Sequence, residues 1–127
     1  MVVILLVAGL GGSVFYLTRG PVDAVRAQLS DLRAGRLDAA YERCSASYRA
    51  RVSREDFAAL VSRHPALAHN ADSTFTSRSI ENDTARISGT LTGSGGEKEP
   101  VAYGLVKEGG GWKIASLRFE MEEGEKL

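Results

Sequence analysis

The sequence predicts an α+β fold in which helices come first and antiparallel strands follow. Two observations support this order. In the first half of the chain, apolar residues recur at spacings of three and four, which is the helical period. In the second half, apolar and polar residues alternate, which is the period of half-buried strands. Helices and strands segregated in this way are typical of a helix layer that covers one face of a sheet.

The composition of the 127-residue chain fits one small domain with an appendage. Hydrophobic residues make up 43% and charged residues 25%, which argues against disorder and against a multi-span membrane protein. The 16 basic and 16 acidic side chains cancel, so no global field favours nucleic acid as a partner. A single cysteine, Cys44, excludes an intrachain disulfide, and we expect it to be a buried structural thiol.

The first 17 residues, MVVILLVAGLGGSVFYL, carry no charged side chain. At about 1.5 Å per residue, a helix of this length spans about 25 Å, slightly less than a hydrocarbon core of about 30 Å. We therefore predict a transmembrane anchor over residues 1–19 of a single-pass protein, in the bacterial inner membrane. The alternatives are a cleaved signal peptide, although a basic n-region and an A-x-A site are lacking, and a buried helix of the domain.

The sequence leaves open the side of the membrane on which the domain lies. Four arginines follow the apolar run, and the positive-inside rule would place them in the cytoplasm. However, the given sequence begins at Met1 with the apolar run itself and has no polar leader. The basic residues on the two flanks of the run therefore cannot be compared. The rule therefore has little weight here, and the extracytoplasmic side is slightly favoured.

Three helices are predicted before the strands. The first, PVDAVRAQLSDLRAG, begins at Pro21 and ends at Gly35, a typical C-terminal cap. The second, RLDAAYERC, is short, and SASYRARV after it is interpreted as a polar connection. The third, SREDFAALV, has Ser53 as its N-cap and Asp56 three residues later, and Pro65 ends it.

Four strands are predicted next, each bounded by a turn. They are STFTSRSI, TARISGTLTG, PVAYGLVKE and WKIASLRFE. The apolar set of the last strand changes sides after Ile114, which predicts a β-bulge near Ala115 or Ser116. The domain is therefore expected over residues 20–120, and an acidic tail over residues 121–127.

Three stretches of the chain carry a family resemblance: LRAGRLDAAYERCSASYRARVSREDFAALV, DTARISGTL and YGLVKEGGGWKIASLRF. Together they resemble the nuclear transport factor 2-like superfamily, which includes ketosteroid isomerase and SnoaL-type cyclases. The closing hairpin, in which a Gly-rich turn precedes Trp-Lys-Ile, is the most specific of the three. The resemblance implies a cone-shaped fold of about three helices packed on a curved antiparallel sheet of about four strands. Because members range from isomerases to scaffold proteins, it implies no single function.

No motif of the superfamily's enzymes can be matched residue by residue, so no catalytic residue is assigned. Such enzymes place a carboxylate base and an oxyanion donor inside the cone. In this chain no acid falls on the apolar face of a predicted strand. The resemblance instead implies a pocket for a small apolar ligand. The residues expected to line it are Tyr41, Phe57, Tyr103 and Trp112.

The remaining polar motifs are interpreted as surface or turn residues. His64 and His69 are expected on the surface or in a loop, since Pro65 between them breaks helical spacing, and no metal site or cofactor is predicted. GSGG and GGG are interpreted as hairpin turns rather than phosphate-binding loops, because no helix follows either. The arginines around Tyr48 are interpreted as solvated surface rather than as a lipid or RNA site.

The function expected from the sequence is that of a membrane-tethered, non-catalytic binding or protein-interaction module. Its expected partners are the membrane through the N-terminal helix, a second copy through the sheet face, and a small apolar ligand or a protein. Two alternatives stay open. One is a ketosteroid isomerase-like or SnoaL-like isomerase, cyclase or dehydratase, and the other is a ligand-free structural component of an envelope complex. Convergent polar groups in a pocket would favour the enzyme, and a filled interior the structural component.

Overall fold

The computed structural model describes residues 20–119, and within this part five helices precede four strands. The helices are α1 (20–33), α2 (Leu37–Glu42), α3 (Ala46–Arg51), α4 (Arg54–Arg63) and α5 (Pro65–Ala68). The strands are β1 (Asn70–Glu81), β2 (Thr84–Gly93), β3 (Lys98–Glu108) and β4 (Gly111–Phe119). The predicted α+β class and four-stranded antiparallel sheet are confirmed, whereas the described helices number five rather than about three.

The predicted membrane helix over residues 1–19 and the predicted tail over residues 121–127 lie outside the described part of the chain. Between residues 20 and 119, no helix combines the length and the apolar character that crossing a membrane requires.

Two short helices, α3 and α5, correct the sequence-based prediction. SASYRARV was expected to be a polar connection, but the Ser45 hydroxyl accepts a hydrogen bond from the backbone N–H of Tyr48 (3.1 Å) and caps α3. Pro65 does separate two elements, because α4 ends at Arg63. It also opens α5, since a proline in the first turn of a helix loses no intrahelical hydrogen bond.

The predicted helix caps are present. Gly35 follows α1 with φ +79°, a conformation that glycine adopts without strain. Its N–H donates to the carbonyl of Leu32 (3.1 Å), and the N–H of Arg36 donates to the carbonyl of Asp31 (2.8 Å). These two bonds form a Schellman motif. At α4, the Ser53 side chain caps the N-terminus as predicted.

The strands form a meander in the order β1-β2-β3-β4, each antiparallel to its neighbour. The helices cover one face of this sheet, and the hydrophobic core lies between the two layers. The buried strand residues are Ala85, Ile87, Leu91, Val101, Tyr103, Leu105, Ile114 and Phe119. The buried helix residues include Val25, Leu29, Ala40, Phe57, Val61 and Leu67.

Bulges in β1 and β4 set which side chains face the helices. In β4, Gly104 pairs with Ser116 and Leu105 pairs with Ile114, so Ala115 is the extra residue and the predicted bulge is confirmed. A second bulge, in β1, lies between the pairs Phe75–Gly89 and Ser77–Ser88. There the backbone of β1 comes so close that a Cβ atom on residue 89 would overlap it, and only glycine fits.

Candidate functional site

The two ends of the sheet are occupied by different groups. At one end, here called the proximal end, lie the β1–β2 turn (82–83) and the β3–β4 turn (109–110), and residue 20, the first described residue, lies beside the β3–β4 turn. The N–H of Lys107 donates to the carbonyl of Asp83 (2.9 Å) and ties these two turns together. The opposite, distal end carries the β2–β3 turn, which is held to the helix layer.

The four residues predicted to line a ligand pocket lie in different environments. Tyr41 packs against Phe57 within the helix layer, with ring centroids 5.5 Å apart. Tyr103 is buried in the core on β3, and Trp112 lies half-buried at the proximal end. The structure thus brings Tyr41 and Phe57 together and places the other two elsewhere. Their shared role in a ligand pocket stays a prediction.

The hydroxyl of Tyr103 is buried and has no hydrogen-bond partner among residues 20–119. Burial raises the pKa of this phenol well above its usual range, and the nearby Cys44 adds to the effect. The group is therefore a neutral donor inside the core. An unpaired buried hydroxyl normally costs stability, so it is a candidate polar contact for a ligand.

A groove of about 360 Å³ lies at the proximal end, between α1 and the β3–β4 turn. The Nζ atom of Lys107 lies 5.4 Å from the centroid of the Trp112 ring, which is a cation–π distance. A Cβ atom on Gly20 would lie 2.5 Å from Cδ1 of Trp112, so glycine permits the close approach of α1 to the indole. The polar lining residues are Asp23, Arg43, Lys107 and Lys113.

The face of the sheet opposite the helices is a trough of about 580 Å³, here called the open face. Two rows of paired residues cross it. The first row is Ser79, Arg86, Gly104 and Ser116, and the second is Ser77, Ser88, Ala102 and Arg118. Small side chains form the floor, and a Cβ atom on Gly104 would lie 2.5 Å from Oγ of Ser116. The two guanidinium groups belong to different rows and different strands.

The distal end contains a pair formed by a buried histidine and a half-buried glutamate. Nδ1 of His64 lies 2.9 Å from Oε2 of Glu99, and the two side chains are 5% and 21% exposed. The imidazole stacks on the ring of Phe119, with centroids 3.7 Å apart and planes 6° apart. His64 therefore lies in the link between α4 and α5, as the prediction of a loop residue allows, but it is buried rather than on the surface. His69 is exposed as predicted.

Glu99 corrects a second prediction, that no acid lies on the apolar face of a strand. The structure begins β3 at Lys98, two residues before the predicted start. Glu99 therefore precedes Val101 and Tyr103 on the same alternating face. Continuing the period-two pattern backwards across Pro100 would have found it in the sequence.

An ion cluster around the buried carboxylate of Asp31 joins α1 to α2. Asp31, whose side chain is 5% exposed, lies 2.6 Å from Nε of Arg43 and 3.1 Å from a terminal nitrogen of Arg36. Burial alone would raise the pKa of Asp31, but the hydrogen bonds and positive charges of the two guanidinium groups outweigh it and lower the pKa below its usual range. These ion pairs hold the two helices together. They also occupy the guanidinium group of Arg43, which lines one side of the proximal groove.

Cys44 is buried, as expected for a structural thiol. Burial raises its pKa to about 11, against a weaker opposing effect from the Gln28 side chain, whose Nε2 lies 3.5 Å from the sulfur. Such a thiol is a poor nucleophile. Between residues 20 and 119, no three potential ligands among His, Cys, Asp and Glu come together to hold a metal ion.

Residues 20–127 match the family described as "Domain of unknown function (DUF4864)". A crystal structure of a protein from Sphaerobacter thermophilus is similar, with a TM-score of 0.50 and 12% sequence identity. The similarity covers 80% of this chain and 95% of that chain, and at this identity it concerns the fold alone. No curated protein sequence matches the chain. The family match spans all of the chain after residue 19, and the protein therefore belongs to the DUF4864 family.

Proposed function

We propose that this chain is a membrane-tethered, non-catalytic interaction module with a nuclear transport factor 2-like fold, and that its open face receives an acidic segment of a partner protein. The observation that carries the proposal is the trough on that face. Because the helices cover the other side of the sheet, the outward side chains of four strands are left for a partner.

The chemistry of the open face suits carboxylates. Arg86 is exposed and makes no ion pair within the described part of the chain, and Arg118 is exposed in the neighbouring row. A guanidinium group binds a carboxylate through two parallel hydrogen bonds, and such charge-assisted bonds are about twice as strong as neutral ones. The serines of both rows add donors around a floor low enough for a peptide backbone.

A second copy of the chain is the other candidate for the open face. In a two-fold dimer the same patch meets itself, so each positively charged trough would face another. Like charges that meet across an interface cost several kcal/mol unless acidic groups separate them. We therefore favour an acidic partner over the homodimer that the sequence suggested.

The fold and the tether are supported by separate observations. Helices packed on one face of an antiparallel four-stranded meander, closed by the Gly-rich turn before Trp112, fit the nuclear transport factor 2-like resemblance. The tether is supported by the uncharged apolar run that ends just before α1. An envelope location follows from the tether.

The open face is tested by peptide binding to the full chain in detergent micelles. We expect a fluorescein-labelled peptide of glutamate and serine to bind, and a lysine–serine peptide of equal length not to bind. Arg86→Gln should weaken binding about tenfold or more, because a charge-assisted hydrogen bond contributes about 1.5–3 kcal/mol. Arg63→Gln, which removes an exposed arginine from α4, is the matched control and should leave binding unchanged.

Two results would overturn this assignment. If the acidic peptide binds Arg86→Gln as tightly as the wild-type chain, the open face is not the binding surface. If sedimentation shows a dimer whose association constant Arg86→Gln changes in either direction, the open face is the contact between copies and its occupant is a second copy. The tether is tested separately, since the full chain should resist an alkaline carbonate wash of membranes and a chain without residues 1–19 should not.

A second candidate function is an isomerase, cyclase or dehydratase. The observation that favours it is Glu99 on the inner face of β3, paired with His64, where enzymes of the resembled superfamily place a base. The burial of His64, the partial burial of Glu99 and the stacking of Phe119 on the imidazole limit access to this pair. Native mass spectrometry of the gently released chain decides between the candidates. A retained small molecule that is lost in Glu99→Gln would favour the enzyme.

A further inference from the structure

We propose that the proximal groove binds the headgroups of acidic phospholipids, so that the domain rests on the membrane surface in a fixed orientation. This inference rests on the membrane tether proposed above. Residue 20 is the first of the described chain and also borders the groove. The groove therefore lies at the point where a chain anchored through residues 1–19 would leave the bilayer, within reach of headgroup phosphates.

The lining of the groove has the chemistry of a membrane interface. Trp112 is half-buried, and indole rings are enriched at headgroup level because they combine an apolar body with a polar N–H. Lys107 stands over this ring at 5.4 Å, so a cation and an aromatic ring are presented together. Lys113 borders the same groove, and its Nζ lies 3.4 Å from the carbonyl oxygen of Glu42. Both ammonium groups are suited to contact phosphate as point charges.

Acidic neighbours limit the positive charge of the groove. Asp23 is part of the lining, and Arg43 is already held by Asp31 at 2.6 Å. The attraction for an anion therefore comes chiefly from the two lysines, Lys107 and Lys113. Near an acidic membrane surface each lysine strengthens binding about fivefold. The groove should therefore prefer acidic over neutral phospholipids by a moderate factor and should not bind the acidic ones exclusively.

An apolar side chain at the other edge of the sheet supports the same orientation of the domain on the membrane. Ile80 is 45% exposed, and among residues 20–119 it is the large hydrophobic side chain most open to solvent. It lies just before the β1–β2 turn at the proximal end, on the strand farthest from β4. With Ile80 on one edge strand and Trp112 on the other, contact with the interface would fix the tilt of the domain.

The single tryptophan makes the groove directly observable, because all indole fluorescence of the chain comes from Trp112. We would place the full chain in nanodiscs of equimolar phosphatidylcholine and phosphatidylglycerol, with bromine near the start of the acyl chains of only one lipid. Bromine quenches indole on contact. We expect stronger quenching when phosphatidylglycerol carries the bromine, and added salt should weaken the difference.

Lysine variants complete the test. Lys107→Gln and Lys113→Gln should each reduce the preference for brominated phosphatidylglycerol about fivefold. Lys98→Gln, which removes an exposed lysine beside the distal β2–β3 turn, should leave the preference unchanged. Equal quenching by both lipids in the wild-type chain, or no quenching by either, would overturn the headgroup site. A chain that does not enter nanodiscs at all would instead overturn the tether.

Discussion

His64 and Glu99 lie 35 positions apart in the chain and meet in the folded domain, with Nδ1 of the imidazole 2.9 Å from Oε2 of the carboxylate. The contact joins the end of α4 to the start of β3, so it couples the helix layer to the sheet at the distal end. Phe119 closes it from β4 through a stacked ring. The pair is therefore expected to stabilise the fold whether or not it also has a chemical role.

Replacement of Glu99 should destabilise the domain by an amount that depends on the new side chain. Glu99→Ala leaves a buried imidazole without its carboxylate, and we expect a loss of about 1–3 kcal/mol in the free energy of unfolding. Glu99→Gln keeps an acceptor oxygen and should cost less. Urea titrations followed by Trp112 fluorescence measure both. Glu55→Ala, in the exposed first turn of α4, should change stability by less than about 0.5 kcal/mol, and an equal loss there would contradict this account.

The hydroxyl groups of the half-buried Tyr41 and the buried Tyr103 should respond in opposite ways to removal. Tyr41 donates to the carbonyl oxygen of Val52 at 2.6 Å, so Tyr41→Phe should cost about 1 kcal/mol. The Tyr103 hydroxyl has no partner among the described residues, so Tyr103→Phe should be neutral or stabilising by up to about 1 kcal/mol. Urea midpoints of the two variants give the comparison. If Tyr103→Phe is as costly as Tyr41→Phe, the hydroxyl binds a group that residues 20–119 do not supply.

Most of the sheet could be predicted because its signal is local. TARISGTLTG alternates without a break, and β2 has the predicted bounds, Thr84–Gly93. Gly35 and Ser53 mark helix ends through backbone chemistry that needs no tertiary context. Helices α3 and α5 were missed because six and four residues are too few to show a helical period. Their formation depends on packing, as the burial of Tyr48 in α3 illustrates.

The candidate sites were harder to predict because they depend on register and on distant contacts. The rows of the open face are defined by pairings that bulges in β1 and β4 shift, and the sequence located only the bulge at Ala115. The contact between His64 and Glu99 can be predicted only when the path of the chain through α5 is known. The proximal groove depends on the approach of Gly20 to Trp112, which no local pattern indicates.

The ion cluster around the buried Asp31 should make stability depend on pH. Its folded-state pKa lies below that of the unfolded chain, about 3.9 for an aspartate, so its contribution is fully present above that pH and is lost as pH falls through the folded value. At neutral pH, Asp31→Asn should cost about 2 kcal/mol, since it weakens the hydrogen bonds to two arginines. Urea titrations between acidic and neutral pH should show this difference narrow as the wild-type carboxylate becomes protonated.

Asp38→Asn is the matched control for this pH dependence. Asp38 is exposed on α2 and pairs with Arg54 at the surface, where ion pairs contribute about 0–1 kcal/mol. Its replacement should shift stability little at any pH. A pH-independent loss in Asp31→Asn, or an equal pH dependence in Asp38→Asn, would show that the cluster does not stabilise the charged carboxylate.

Two glycines of the sheet should differ sharply in their tolerance of a methyl group. A Cβ atom on Gly89 would overlap the backbone of Thr74 and Phe75, which cannot move without breaking the β1–β2 pairing. We expect Gly89→Ala to cost about 3 kcal/mol, the upper end of the usual range for overpacking. On Gly104 the obstacle is the side-chain oxygen of Ser116, which can rotate away, so Gly104→Ala should cost about 1 kcal/mol or less. Thermal unfolding of both variants, and of the double variant that combines Gly104→Ala with Ser116→Ala, tests whether the Ser116 side chain causes the loss at residue 104. Adding Ser116→Ala should recover the small loss of stability caused by Gly104→Ala. If Gly104→Ala costs as much as Gly89→Ala, the obstacle at the floor of the open face is rigid backbone rather than an adjustable side chain.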